Sequence, residues 1–256
     1  MLVEVSGVLF HYRVKGSGGV PVLLLHGWGR DASYWDLLVD SLSGCDCSFY
    51  LVDLPGFGLS APPPEVWGVE GYAGFLCGWM ESIRPMAEWV VVGHSFGGKV
   101  ALCLGRWYPV RRLVLLASAG VVAHKSWSIR FRNSLLRFIK RVLKLTVRTD
   151  LADRILEQYR TRYGSSDYRA AQGIMRAVLV RAVSEDVTSW LPEVQMPVLL
   201  IWGEQDSATP LVSAKLMQQL LSKARLVILK GVGHDLMAER PLEVIKLVKQ
   251  NLKEMR

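Results

Sequence analysis

One serine, Ser95, lies between glycines in the stretch VVVGHSFGGKV at positions 90–100. An apolar, β-branched run precedes it and a helical pattern follows, which predicts a sharp turn from a buried strand into a helix. Such a turn strains the central residue and brings the residues two positions before and after it close together, so only small side chains fit. Gly93 and Gly97 occupy those positions. The spacing predicts a nucleophile exposed at a helix N-terminus, where developing negative charge is favoured.

The other parts of an acyl-transfer site follow Ser95 along the chain, first the acid and then the histidine. A serine hydroxyl is a weak nucleophile, so it needs a histidine to take its proton and a carboxylate to orient that histidine. Asp206 follows the apolar run VLLIW, and His234 follows the last predicted strand. We therefore predict Ser95, Asp206 and His234 as the catalytic residues.

Other candidates for these roles have structural interpretations that we favour. No carboxylate follows the sixth predicted strand, where the sequence reads SAG at 118–120, and Glu204 and Asp235 are interpreted as solvated neighbours of the site. The remaining histidines lie in the N-terminal hairpin, beside two turns, and between the sixth and seventh strands: His11, His26, His94 and His124.

A tetrahedral intermediate also needs two N–H donors directed at its oxyanion. The backbone N–H of Phe96, directly after the nucleophile, is one candidate. The second is the N–H of Trp28 in the loop HGWG at 26–29, where the flanking glycines leave it free to face the site. The side chains of Trp28 and Phe96 either line an acyl pocket or have an ordinary packing role.

Eight short apolar runs alternate with helical patterns, which is typical of an α/β sheet built from βαβ units. The middle and late runs are continuously apolar, as expected of parallel strands that are buried on both faces. The predicted strands are 3–5, 8–14, 20–25, 48–54, 89–93, 113–117, 198–202 and 225–229, and the predicted helices are 32–42, 68–82, 96–108, 211–221 and 242–252.

The alternation stops between the sixth and seventh strands, where the sequence has several helical patterns and no strand-like run. We predict an inserted helical cap at 120–196, which divides the core into 1–119 and 197–256. Residues 121–196 contain 14 Lys and Arg against 7 Asp and Glu, so most of the net charge of +8 belongs to the insertion.

Composition favours a large globular domain, since half of the 256 residues are hydrophobic. The four cysteines lack CxxC spacing, so neither a zinc site nor a disulfide framework is predicted. The first residues have no signal-peptide pattern, and no apolar run approaches the length of a membrane span. We expect a cytoplasmic protein.

Five motifs together resemble those of the α/β-hydrolase family. The resemblance implies a doubly wound, eight-stranded, mostly parallel sheet with a cap inserted after strand six, and it is greatest to small esterases and carbon–carbon bond hydrolases. The serine at position 95 disfavours the family branches that use an aspartate there. Lys99 departs mildly from the family pattern, and no catalytic role is predicted for it. The motifs are HGWG at 26–29, DLPGFGLS at 53–60, GHSFGG at 93–98, GEQDSATP at 203–210 and GVGHDLMAERP at 231–241.

The predicted function is hydrolysis of a carboxylic ester or thioester with a medium-sized apolar portion, through an acyl-enzyme. Three alternatives stay open: cleavage of a carbon–carbon bond in a diketone, acyl transfer to an acceptor other than water, and ligand binding without catalysis. No metal or organic cofactor is predicted, because the sequence has no ligand cluster and no phosphate-binding glycine loop.

The segment 125–148 contains eight basic residues and no acidic one, with apolar residues at helical spacing. It predicts a basic amphipathic helix in the cap. One interpretation is a lid helix whose charged face is solvated. The other is that this face contacts an anionic surface, an anionic or amphiphilic substrate, or an acidic carrier protein. Nucleic acid is disfavoured, because no recognition fold accompanies the basic residues.

Overall fold

The computed structural model describes residues 1–121 and 166–254, and all eight predicted strands are confirmed there. The observed bounds differ from the predicted ones by one to three residues at several ends. We number the strands in chain order: β1 (Leu2–Val5), β2 (Val8–Lys15), β3 (Val20–Leu25), β4 (Cys47–Val52), β5 (Trp89–His94), β6 (Val110–Leu116), β7 (Val198–Gly203) and β8 (Ala224–Leu229).

The strands form one sheet in the order β1-β2-β4-β3-β5-β6-β7-β8. The pairs β1/β2 and β2/β4 are antiparallel, and every other neighbouring pair is parallel. Strand β4 pairs with one edge of β3, and the next strand, β5, pairs with the other edge. The loops that follow β3 and β5 therefore lie side by side. In doubly wound sheets, sites form at such places beyond the carboxyl ends of the strands.

The described helices connect the strands and cover the sheet. Most of their bounds agree with the predicted ones to within a few residues, but the predicted helix 32–42 begins as a 3₁₀ turn and the short helix after His234 was not predicted. The helices are α1 (Asp36–Ser41), α2 (Val69–Ile83), α3 (Phe96–Trp107), α4 (Ser166–Ala170), α5 (Gly173–Ser184), α6 (Leu211–Leu220), α7 (Leu236–Glu239) and α8 (Pro241–Lys253), with 3₁₀ turns at Ala32–Trp35 and Thr188–Glu193.

The sheet separates two hydrophobic cores. Leu23 and Leu25 of β3 point into the core beneath α2, α3 and α6, whereas Val22 and Leu24 point into the core beneath α1 and α8. Successive strand residues face opposite sides of a sheet, so a strand buried on both sides must be apolar throughout. This explains why the runs read as continuous apolar stretches, and it confirms the doubly wound sheet.

The cap at 120–196 stays a prediction. The structure describes its last part, residues 166–196, which contains α4, α5, the second 3₁₀ turn and no strand. The predicted basic helix at 125–148 lies outside the described residues, as does His124. In the ranges that the structure does describe, no helix is both long and apolar enough to cross a lipid bilayer.

The turn between β5 and α3 has little room for any side chain at its glycine positions. A Cβ added to Gly93 would lie 2.6 Å from the carbonyl oxygen of Gly97, and one added to Gly97 would overlap the carbonyl oxygen of Leu25. Both clashes involve backbone atoms, which cannot swing aside as a side chain can. The first turn of α3 therefore lies close to the end of β5 because Gly93 has no Cβ, and close to the end of β3 because Gly97 has none.

We expect Gly97→Ala to lower the free energy of unfolding by about 3 kcal/mol, because the backbone of β3 or α3 must move. The control is Gly78→Ala on the exposed face of α2, where an added Cβ has no atom within 4 Å. That substitution should raise the free energy of unfolding by about 0.5–1 kcal/mol, since alanine favours a helix. Urea denaturation measures both, and equal effects of the two would contradict the steric explanation.

Candidate active site

Ser95 is held in a strained conformation at the tip of the strand-to-helix turn. Its φ is +51° and its ψ is −111°, a region that residues with a side chain rarely occupy. Its backbone N–H donates to the carbonyl of Leu116, and its carbonyl accepts from the N–H groups of Lys99 and Ala119. The end of β6 and the first turn of α3 therefore fix the backbone of Ser95, and the hydroxyl projects at the N-terminus of α3.

The structure brings the three predicted catalytic side chains together from three loops. The His234 Nε2 lies 3.0 Å from the Ser95 Oγ, and the His234 Nδ1 lies 2.8 Å from the Asp206 Oδ2. The side chain of Asp206 is buried, whereas that of His234 is partly exposed. An imidazole that donates from Nδ1 to a carboxylate carries its lone pair on Nε2, where it can accept the serine proton.

The buried carboxylate of Asp206 accepts four hydrogen bonds. Oδ1 accepts from the N–H groups of Ala208 and Thr209 at 2.9 and 2.8 Å, and Oδ2 accepts from the Thr209 hydroxyl at 2.7 Å and from His234. Burial alone would raise the pKa of Asp206, but the hydrogen bonds from His234 and Thr209 outweigh it, so the pKa is lowered. Asp206 is thus kept ionised although it is buried.

Thr209 is a residue of this site that the sequence analysis missed. Its hydroxyl lies 2.7 Å from the Asp206 Oδ2 and 3.1 Å from the carbonyl of Ala117, and its carbonyl accepts from the Trp202 indole. The available signal was a threonine three residues after the predicted acid, because the loop then turns its hydroxyl back onto the carboxylate.

The side chains of His94 and Tyr34 form a second cluster, which contacts the backbone of His234. The buried His94 ring stacks on the Tyr34 ring at 4.9 Å, and its Nε2 lies 3.2 Å from the carbonyl of His234. Burial first, and the neighbouring His234 second, lower the pKa of His94 to about 4. His94 is therefore neutral at pH 7 and donates from Nε2 to that carbonyl.

Asp235 contributes to the same cluster and is not the merely solvated neighbour that the sequence suggests. Its carboxylate accepts from the Tyr34 hydroxyl at 3.1 Å and pairs with Arg30 at 2.6 Å. It also accepts from the backbone N–H of Ala238 and so caps α7. The loop that carries His234 is therefore tied to the segment that follows the HGWG loop.

The histidine of the HGWG loop has a structural role, as predicted for it. His26 is fully buried, which lowers its pKa, so its ring is neutral. The ring donates to the carbonyl of Gly27 and accepts from the N–H of Leu54, at 2.8 and 3.0 Å. These bonds join the loop after β3 to the loop after β4. His11 likewise lies 2.8 Å from Asp53, at the start of the same second loop.

The two predicted oxyanion donors are Phe96, which lies in the nucleophile turn, and Trp28, which lies in the loop beside it. Phe96 is the first residue of α3, and among the described residues neither its N–H nor that of Trp28 has a hydrogen-bond acceptor. Gly27 approaches the turn so closely that an added Cβ would lie 3.4 Å from the Ser95 Cβ. The loop after β3 therefore runs directly beside Ser95, where a second donor is needed.

Aromatic rings form one wall beside these donors. The Trp28 ring packs edge-on against Phe57 and Phe96, with centroid distances of 4.8 and 5.4 Å. Tyr72 packs edge-on against Phe96 at 5.2 Å from the other side. Edge-to-face packing holds such rings in fixed positions. The arrangement as a whole offers an activated hydroxyl, two free N–H groups and an apolar wall, which together suit nucleophilic attack on a carbonyl.

Comparison with known proteins identifies the family of the chain. The profile of the alpha/beta hydrolase family matches residues 22–247. The chain is 30% identical over 251 residues to the pimeloyl-(acyl-carrier protein) methyl ester esterase of Nitrosomonas europaea, covering 88% of this chain and 92% of that protein. The match spans nearly the whole of both proteins.

Solved structures share the fold. A thermophilic esterase from Thermogutta terrifontis superposes with a TM-score of 0.72 at 22% identity, covering 99% of this chain and 98% of that one. A meta-cleavage product hydrolase from Pseudomonas fluorescens IP01 superposes with a TM-score of 0.73 at 22% identity, covering 100% and 98%. The chain belongs to the alpha/beta hydrolase family.

We expect Thr209→Val to lower kcat/KM about tenfold, because the buried Asp206 loses one of its donors and is less firmly oriented. The value of kcat/KM at pH 8 measures the loss, since there Asp206 is ionised, with its pKa held below the ordinary carboxyl value, and only its orientation is at issue.

Thr209→Ser is the matched control, because it keeps the hydroxyl and the backbone N–H. Its kcat/KM at pH 8 should stay within about twofold of the wild type. If the valine and serine variants lose kcat/KM equally, the hydroxyl does not support Asp206 and only the shape of the side chain matters.

Proposed function

We propose that the chain is a serine esterase in which Ser95, His234 and Asp206 form the catalytic triad. The observation that carries this proposal is the continuous hydrogen-bonded line from the Ser95 Oγ through the imidazole of His234 to the carboxylate of Asp206. Serine without such a base is a poor nucleophile, and a histidine without the carboxylate can adopt the wrong tautomer.

In the proposed reaction, the His234 Nε2 takes the Ser95 proton while the Ser95 Oγ attacks the ester carbonyl. The negative oxygen that results lies against the N–H groups of Trp28 and Phe96, aided by the N-terminus of α3. The imidazolium then gives its proton to the leaving alcohol, and the acyl-enzyme remains. A water molecule, deprotonated by the same imidazole, releases the acid and restores Ser95.

The substrate is proposed to be an ester with an apolar acyl portion. The packed rings of Trp28, Phe57 and Phe96 support this, because they form an apolar cluster next to the turn that carries Ser95. A thioester remains within the proposal, since the same attack expels a thiol. Cleavage of a carbon–carbon bond, acyl transfer and ligand binding stay predictions, and no contact in the site favours them over hydrolysis.

The finer proposal is an ester whose acyl chain is attached to an acidic carrier protein. Two observations support it: the curated relative is an esterase of an acyl-carrier protein methyl ester, and the segment 125–148 of this chain has eight basic residues and no acidic one. Opposite charges speed the encounter of two proteins and fix their orientation. We propose that residues 120–196 form the cap on which such a carrier docks.

Replacement of the nucleophile tests the esterase proposal. Ser95→Ala should lower kcat for p-nitrophenyl acetate and butyrate by about 10⁴-fold or more, because no other group replaces the attacking hydroxyl. A fluorophosphonate probe should label the wild type and leave the variant unlabelled. A wild type that hydrolyses no ester and takes no label would instead indicate a ligand-binding protein.

Salt dependence tests the carrier proposal. For a methyl ester on an acyl-carrier protein, kcat/KM should fall about tenfold or more between 50 and 500 mM NaCl, since salt screens charge attraction between surfaces. The free methyl ester of the same acid carries no carrier and is the control, so its kcat/KM should change less than twofold. Equal salt dependence for both substrates would argue against docking by charge.

A further inference from the structure

Lys99 is a buried cation that the proposed mechanism does not use. It lies on α3 one turn after Ser95, and its side chain is 2% exposed. Lysine is almost never fully buried without partners, because removing its charge from water is costly. Its position therefore calls for groups that stabilise an ammonium ion inside the protein.

The partners of Lys99 are backbone carbonyls rather than carboxylates. Its Nζ lies 2.6 Å from the carbonyl oxygen of Ala182 and 2.5 Å from that of Glu185. Both oxygens lie at the C-terminal end of α5, where the last carbonyls have no N–H partner within the helix and the helix dipole is negative. The side-chain carboxylate of Glu185 is engaged elsewhere, by the N–H of Val69 and by Arg181.

The Lys99 side chain lies beside both segments that connect the core to the predicted cap. A Cβ added to Gly120 would lie 3.1 Å from the Lys99 Cγ, and the carbonyl of Gly120 accepts from the N–H of Val187 at 2.9 Å. One side chain thus contacts the outgoing chain at Gly120 and the returning chain at Ala182 and Glu185.

Helix α5 contacts the chain segment that carries Phe57, one of the aromatic residues beside Ser95. Its Met175 thioether fills the space above Gly56, where an added Cβ would overlap the sulfur. Gly56 directly precedes Phe57, whose ring packs against Trp28 beside Ser95. A displacement of α5 would therefore remove packing from the segment that carries Phe57, while the hydrogen bonds between Ser95, His234 and Asp206 would be kept.

We propose that Lys99 is a positioning residue that anchors α5 to the nucleophile helix through charge-assisted hydrogen bonds, and so determines how well long acyl chains bind. The proposal rests on the esterase function proposed above. Bonds from an ammonium ion are roughly twice as strong as those from a neutral donor, so the charge matters as well as the contact. We expect only a long acyl chain to extend as far as the segment that Met175 supports, so a short ester should not depend on the anchor.

Lys99→Met, of similar length and without charge, is the variant that tests the anchor. For p-nitrophenyl octanoate we expect kcat/KM to fall about tenfold, mainly through a higher KM, whereas kcat for p-nitrophenyl acetate should stay within about twofold. Lys215→Met, on the exposed face of α6, is the control and should leave both esters unchanged. An equal loss for both esters, or no loss, overturns the proposal.

A second measurement does not depend on catalysis. In a Ser95→Ala background, hydrogen exchange of the amides at 177–185 should be about tenfold faster with Lys99→Met, because that end of α5 has lost its donor. Unchanged exchange there would overturn the anchor even if Ser95 proves to be the nucleophile. Conversely, if Ser95→Ala retains esterase activity, the proposed function fails while the exchange result still decides the anchor.

Should the methionine variant fail to fold, the pH dependence of the wild type decides. Burial lowers the pKa of Lys99 to about 8, against the opposing effect of the nearby carboxylates of Glu185 and Asp186. Between pH 7 and 9.5, Lys99 therefore loses its proton. The KM for the uncharged octanoate ester should therefore rise in that range. A constant KM would overturn the proposal.

Discussion

The site depends on one interior charge, the carboxylate of Asp206. Removing a carboxylate from water costs on the order of several kcal/mol, so it stays ionised only where donors replace the lost water. Here two backbone N–H groups, the Thr209 hydroxyl and the imidazole of His234 supply four hydrogen bonds. Because those donors come from fixed directions, the charge also has a fixed position, and the imidazole that faces it is fixed with it.

The parallel strands place these groups at one edge of the sheet. Hydrogen bonds continue beyond the strand ends, from the N–H of Ala117 to the carbonyl of Ile201 and from the N–H of Glu204 to that of Leu229. They extend the register of β6, β7 and β8 into the loops that carry the site. The strained Ser95 is held in the same way, since its N–H and its carbonyl are bound at the end of β6. Neighbouring strands thus supply the free energy that keeps the nucleophile in its unfavourable conformation.

Sequence alone predicted the sheet and the identity of the three residues that the structure brings together, because each has a strong local pattern. Buried strands must be apolar throughout, and the glycines around Ser95 follow from a steric requirement at two positions. Contacts between distant segments leave no such pattern. The bond from Lys99 to Ala182 joins residues 83 positions apart, and Asp235 meets Arg30 across 205 positions. Thr209 is an intermediate case, since its proximity to Asp206 in the chain was visible but its side-chain direction was not.

The nucleophile is hydrogen-bonded to the chain just before the predicted cap begins. The carbonyl of Ser95 accepts from the N–H of Ala119, and Gly120 follows at once with a φ of +119°. The chain just before Gly120 is therefore fixed to the same turn as Ser95. Where the chain returns to the core, Ala182 is bonded to Lys99 of α3, and Val187 is bonded to Gly120. Both described ends of the predicted insertion are thus bonded close to Ser95, so the position of either end is coupled to that of the nucleophile helix.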